Sequence, residues 1–242
     1  MTTSTSTLTS TSAPTALRLP AVLTTLAMLT MLGLLAACAG KVQPDWQMNA
    51  QSSITRFQQA YLAGNASVDT VEFQRARAQV SSTGQIDLVA RVELIRCATR
   101  AASLVFEDCS GFDKLQQDAD APERAYAHYL TGSPNREEVA LLPEQHRRVA
   151  SANANGDDAQ AVAAALEIQD PLSALVASSV LLRSGRASPE LLDFAVETAS
   201  GQGWRRPLLA WLSVQALRAE QAGATQEAER LQRRIALVQG SR

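Results

Sequence analysis

The chain has 242 residues, with 22 Lys and Arg against 24 Asp and Glu and a formal charge of −2. A balance this near neutral excludes the electrostatic footprint of a nucleic-acid binder and a polybasic patch for anionic lipid. A chain of this size buries roughly 70% of its unfolded surface, so a sizeable core needs neither metal nor disulfide support.

Residues 1–37 contain no acidic side chain and one cation, Arg18, and an uncharged stretch rich in Leu, Ala and Met runs from Leu19 to Gly40. A positive start, an apolar middle and small residues before a cut are the three parts of a secretory signal. Two other readings fit part of the pattern. The run is about long enough, at roughly 20 apolar residues, to cross a bilayer uncleaved. A Ser/Thr-rich, acid-free start is also what an organelle transit peptide has. Neither accounts for a Cys placed directly after Leu35-Ala36-Ala37.

Leu35-Ala36-Ala37-Cys38 resembles the lipobox of bacterial lipoproteins. The resemblance implies a signal peptide over 1–37, a diacylglyceryl group on the Cys38 thiol, a cut before Cys38, and acylation of the new amino terminus. Membrane lipid is then the first partner of the protein. Ala39 stands where an Asp commonly retains such proteins at the inner membrane, so the resemblance implies the outer membrane facing the periplasm. Two or more acyl chains give stable anchoring, at ~0.8 kcal/mol per buried methylene.

Residues 38–45 read as a lipidated tether, and six extended residues span at most ~20 Å. From there the spacing predicts helix nearly throughout. Trp46, Ala50, Ile54, Phe57 and Tyr61 form an amphipathic stripe, closed by Gly64-Asn65. A second helix covers about 68–80. In the third, about 88–104, Leu88, Val92, Ile95 and Ala102 make one apolar face, and Ala90, Leu94, Cys97, Ala101 and Leu104 another. Glu93, Arg96 and Arg100 share a narrow polar strip between them. A helix apolar on two sides is covered on two sides and belongs in the middle of an array.

Cys97 and Cys109 are an even pair in a compartment that the signal makes oxidising, so a disulfide is expected. The bridge requires the helix to stop near Leu104 and the chain to double back through the turn-like Asp108-Cys109-Ser110-Gly111. A redox-active or metal-binding pair is the alternative, but there is no C-x-x-C spacing and neither His128 nor His146 shows ligand spacing to it.

Asp113 to Ala121 is the most polar connection and divides an N-terminal helical half, 46–112, from a C-terminal half, 121–240. Helix starts follow at Asp157, Asp170-Pro171 and Ser188-Pro189-Glu190. The last two helices form a hairpin in which Gly223 is the stop and Thr225 the new cap. Ala216 and Ala228, twelve positions apart, resemble the small contact residues of a tetratricopeptide unit, although Ala219 and Gln232 stand where that family has Tyr and Phe. The expected fold is all-α, an array of antiparallel helical hairpins, either tetratricopeptide-like or an irregular bundle.

No motif names a chemistry. There is no nucleophile elbow, phosphate loop, dinucleotide fingerprint or His-Glu-x-x-His, and no cofactor is expected. His128 reads as an ordinary packed or exposed histidine. Asp118, Asp120 and Glu123 read as a solvated turn rather than a calcium loop. Trp204 and Trp211, beside Arg205 and Arg206, read as core packing, or as an aromatic-Arg partner surface if exposed. Two functions remain: a non-catalytic module for envelope protein partners, and an envelope enzyme, for instance one acting on the cell wall. A buried carboxylate in a deep cleft favours the enzyme; an apolar groove without titratable groups favours the module.

Overall fold

The computed structural model describes residues 2–3, 43–133 and 135–240; the lipobox at Leu35 to Cys38 lies outside them. Among the described residues there is no strand, and no helix is long and apolar enough to cross a membrane. Residues 45 onward fold as one compact unit. Its helices are α1 (Asp45–Ala63), α2 (Ala66–Ser81), α3 (Ile86–Ala101), the short α4 (Ser110–Asp113) and α5 (Ala121–Leu130). A 3-10 turn (Arg136–Leu141) follows, then α6 (Glu144–Asn155), α7 (Asp158–Leu166), α8 (Pro171–Arg183), α9 (Pro189–Gly201), α10 (Arg205–Gln221) and α11 (Thr225–Gly240).

Side-chain caps set four of these helix starts. Asp170 accepts from the Ser173 amide at 2.8 Å, Asp157 from Gln160 at 3.0 Å and Ser188 from Leu191 at 3.2 Å. Each satisfies a backbone donor that the first turn leaves free. Asn65, which closes the first hairpin turn, also caps α2 by accepting from Val68. At the last hairpin the expectation fails by one residue. With Gly223 in the left-handed region at φ 71°, the Ala224 carbonyl receives the first helical bond, from the Ala228 amide, and Thr225 is already helical.

α3 lies in the middle, packed against α1, α2, α4, α5 and α8. Its two apolar faces serve different cores. Val89 and Val92 are buried with Phe57, Tyr61 and Phe73 of the first hairpin, with Leu88 and Ile95 beside them. Ala90, Leu94, Ala98 and Ala102 are buried with Phe112, Tyr129, Leu175, Leu192 and Trp211. Ala102 therefore belongs to the second face and not the first, because the helix ends at Ala101 and the chain turns there. The second core runs across the 113–121 connection without a break, so the two halves are separate in sequence but share their packing. The array also closes on itself: α10 packs against α1.

The end of α3 is shorter than the apolar pattern predicts. Val105 donates its amide to Arg100 O at 3.1 Å and Leu104 to Ala101 O at 2.8 Å. This is the Schellman arrangement, with Leu104 at φ 58° where glycine is usual. The early stop returns the chain to α3, and Cys97 and Cys109 are joined by a disulfide with their Cα atoms 5.9 Å apart.

Candidate functional site

Three ion pairs join neighbouring helices and bury a carboxylate each. Arg56 on α1 reaches Glu72 on α2 at 2.9 Å, Arg77 on α2 reaches Glu93 on α3 at 2.7 Å, and Arg91 on α3 reaches Glu123 on α5 at 2.6 Å. In each, the carboxylate side chain is no more than 7% exposed while the guanidinium is half in water. Burial pushes the Glu72 carboxyl up, but Arg56, Ser53 and Arg75 outweigh it and hold it below the usual range. A paired, buried carboxylate is the arrangement in which losing the partner costs most. Glu93 and Glu123 are thus structural partners and not surface charge.

The third pair stands in a cleft of about 450 Å³ between α3, α5, the 3-10 turn and the start of α6. Leu94 and Ile95 of α3, Pro122 and Tyr126 of α5, and Leu141, Leu142 and Pro143 line it, beside the charged Arg91, Glu123 and Arg147. Leu141 is 40% exposed. Arg91 puts two of its nitrogens, Nε at 2.9 Å and Nη2 at 2.6 Å, on Oε1 of Glu123. Glu123 Oε2 is buried with no hydrogen-bond partner. Arg147, also at the cleft, spends its Nε on the Leu142 carbonyl at 2.8 Å, which holds the start of α6 against the 3-10 turn.

Beneath the cleft the two histidines part company. His146 is 2% exposed, with its Nδ1 3.2 Å from the Tyr129 hydroxyl and its ring packed on Tyr126 and Tyr129. Burial lowers its pKa to about 4, against a small opposing pull from Asp170. It is a neutral core residue at ordinary pH. Burial likewise raises the Tyr126 and Tyr129 hydroxyls well above their usual range. His128 is exposed, its Nδ1 2.9 Å from Glu138 Oε2.

The remaining expected sites resolve as follows. Glu123 leaves the Asp118-Asp120 turn for the cleft, and among the described residues no cluster of His, Cys, Asp and Glu could hold a metal ion. Trp211 is fully buried, and Trp204, just before α10, is partly buried and packs on both cores. Arg205 donates to the carbonyls of Val238 and Gln239. The two tryptophans are packing residues. Cys38 lies outside the described residues.

No family model, no curated protein and no solved structure matches this chain. The cleft was missed in the sequence because one of its walls is a 3-10 turn without an apolar stripe. Among the described residues its lining offers one carboxylate, already paired, and no Ser, Cys or His nucleophile. General acid–base catalysis on a glycosidic bond uses two carboxyl groups flanking it. Among the described residues the cleft lining holds no second carboxyl group for such a reaction.

Proposed function

We propose that this protein is a lipid-anchored envelope protein whose helical domain is a non-catalytic interaction module. In this reading Cys38 carries the lipid, residues 1–37 are removed, and a tether of 38–45 holds the domain close to the outer membrane on its periplasmic side. The α3–α5 cleft takes an apolar side chain from an extended or helical segment of an envelope protein. The observation that carries the reading is the cleft itself: Leu94, Ile95, Pro122, Leu141, Leu142 and Pro143 line it, Leu141 is exposed, and its one carboxylate is paired with Arg91. Exposed apolar surface bordered by charge is a common mark of a partner site.

Glu123 Oε2 adds a specificity element. A buried acceptor without a donor costs on the order of 1–3 kcal/mol, and a partner N–H entering beside it removes that cost. The same atom is what favours the second reading, an envelope enzyme working through one carboxylate.

A photo-crosslinking residue at position 141, compared with one at the exposed Leu237 of α11, tests the module in intact cells. Crosslinks to a discrete protein from 141 alone, abolished by Pro122→Glu at the exposed edge of the cleft, support it. Equal, diffuse crosslinking from both positions would remove the cleft from consideration. Turnover of a cell-wall substrate that is lost in Glu123→Gln would establish the enzyme instead.

A further inference from the structure

A second pocket, of about 220 Å³, opens where α1, α2, α3 and α10 meet, away from the cleft. Three guanidinium groups line it: Arg96 and Arg100 from the polar strip of α3, and Arg206 from the first turn of α10. Arg96 stacks on Phe73 with its Cζ 4.7 Å from the ring centre; Arg206 and Arg100 sit over Tyr61 at 4.1 and 5.9 Å. Stacking uses the face of a guanidinium and leaves its N–H donors directed outward in the ring plane, where an oxyanion can take them in pairs.

Those donors are poorly employed. Arg96 has no hydrogen bond or ion pair among the described residues, and Arg100 Nε is buried without a partner. Arg206 meets Asp69 only loosely, at 3.8 Å. Arg100 does hold Glu107, outside the pocket lining, at 2.7 Å. With Asp69 and Glu107 both counted, three guanidiniums still face two carboxylates. Gathering like charges at the junction of four helices is unfavourable unless a counter-ion completes the set. Three forked donors also exceed what the roughly four lone-pair positions of a carboxylate can accept.

We propose that this pocket binds a phosphate group, held by Arg96, Arg100 and Arg206. Its volume accommodates a phosphate with a small substituent, being equivalent to about seven waters at ~30 Å³ each. The group comes either as free phosphate or as the head group of a lipid. Asp69 limits the charge that the pocket tolerates and sets aside space that a larger anion would need.

Calorimetric titration of the detergent-solubilised full chain with inorganic phosphate, glycerol 3-phosphate and acetate, at matched ionic strength, tests this. Phosphate should bind, Arg96→Gln should weaken it about tenfold, the loss of one charge-assisted pair, and Asp69→Asn should tighten it. Arg96→Gln breaks no ion pair, so the variant keeps its fold; Arg230→Gln, on α11, should leave binding unchanged. Glycerol 3-phosphate binding more tightly than inorganic phosphate assigns the pocket to a head group, and the reverse order assigns it to the free ion; either upholds the site. Acetate binding as tightly as phosphate, or phosphate binding unchanged in Arg96→Gln, overturns the proposal.

Discussion

The indole N–H of Trp211, on α10, donates to the carbonyl of Ala102, just past the end of α3, at 3.1 Å across 109 residues of sequence. The bond accepts the hydrogen-bonding demand of a helix end that has stopped early and become buried. Trp211 is fully covered, and Ala102 is too. Trp211→Phe removes the donor and part of the ring together. Its cost combines an unpaired buried carbonyl with a small cavity, about 2–4 kcal/mol. Urea unfolding followed by circular dichroism measures it, and a loss below 1 kcal/mol, on the order of one ordinary hydrogen bond, would mean that the carbonyl finds another donor.

The Cys97–Cys109 bridge closes a loop of separation 12. In the chain-entropy model this stabilises the fold by about 3 kcal/mol. A Cys97→Ala, Cys109→Ala double variant should unfold at correspondingly lower urea while keeping its helical spectrum, since both cores are otherwise complete. Peptide mapping without reductant, on protein exported to the periplasm, should recover the two cysteines as one linked peptide.

Gly111 sits directly against the Glu93 carboxylate, so that a β-carbon there would occupy the same space. Gly111→Ala must shift the Glu93 carboxylate, which strains its buried pairing with Arg77. The expected loss is about 1–3 kcal/mol. A matching Glu93→Gln in the Gly111→Ala background should recover little, because the obstacle is steric. Recovery of the full loss would show that charge, not volume, sets the cost.

His146 makes stability depend on acid. In the unfolded chain its imidazole takes a proton near pH 6.5, whereas in the folded protein burial holds its pKa at about 4. Between those values the unfolded state binds more protons, so stability falls as pH drops from 6.5 toward 4 and is fully present above 6.5. The loss at the acid end is about 3 kcal/mol. His146→Gln should flatten this part of the profile when unfolding is measured across pH 4 to 7.

Lipidation at Cys38 is checked by intact mass of protein taken from membranes, which should equal the chain from Cys38 plus acyl groups. Cys38→Ser should leave a longer, unprocessed form. Residues 1–37 still attached to the unaltered protein would exclude the anchor.

What could be read in advance, and what could not, follows from the range of each interaction. Helix starts at Asp157, Asp170 and Ser188 were legible because a cap acts within three residues of itself. The two faces of α3 were legible because apolar periodicity records burial on each side. The stop near Leu104 was legible through the Cys97 and Cys109 pair, which requires it, but its left-handed residue was not, since Leu104 stands where a glycine would have announced the turn. The ion pairs of Glu72, Glu93 and Glu123 left no local signal because their partners stand 16, 16 and 32 positions away on other helices. His146 gave no sign of burial either, its neighbours being Tyr126 and Tyr129 from an earlier helix. The α3–α5 cleft depends on a 3-10 turn, and the arginine pocket on α10 returning to α1; both are facts of chain path and not of pattern.

That return of α10 to α1 has a mechanical consequence. A linear stack of hairpins unravels from whichever end is pulled, one unit at a time. Here a force entering at Asp45 meets α2, α3 and α10 at once, because α1 packs on all three. The load passes into the centre of the domain instead of peeling away its edge. A pull on that end therefore strains several helices together instead of loosening the first hairpin alone.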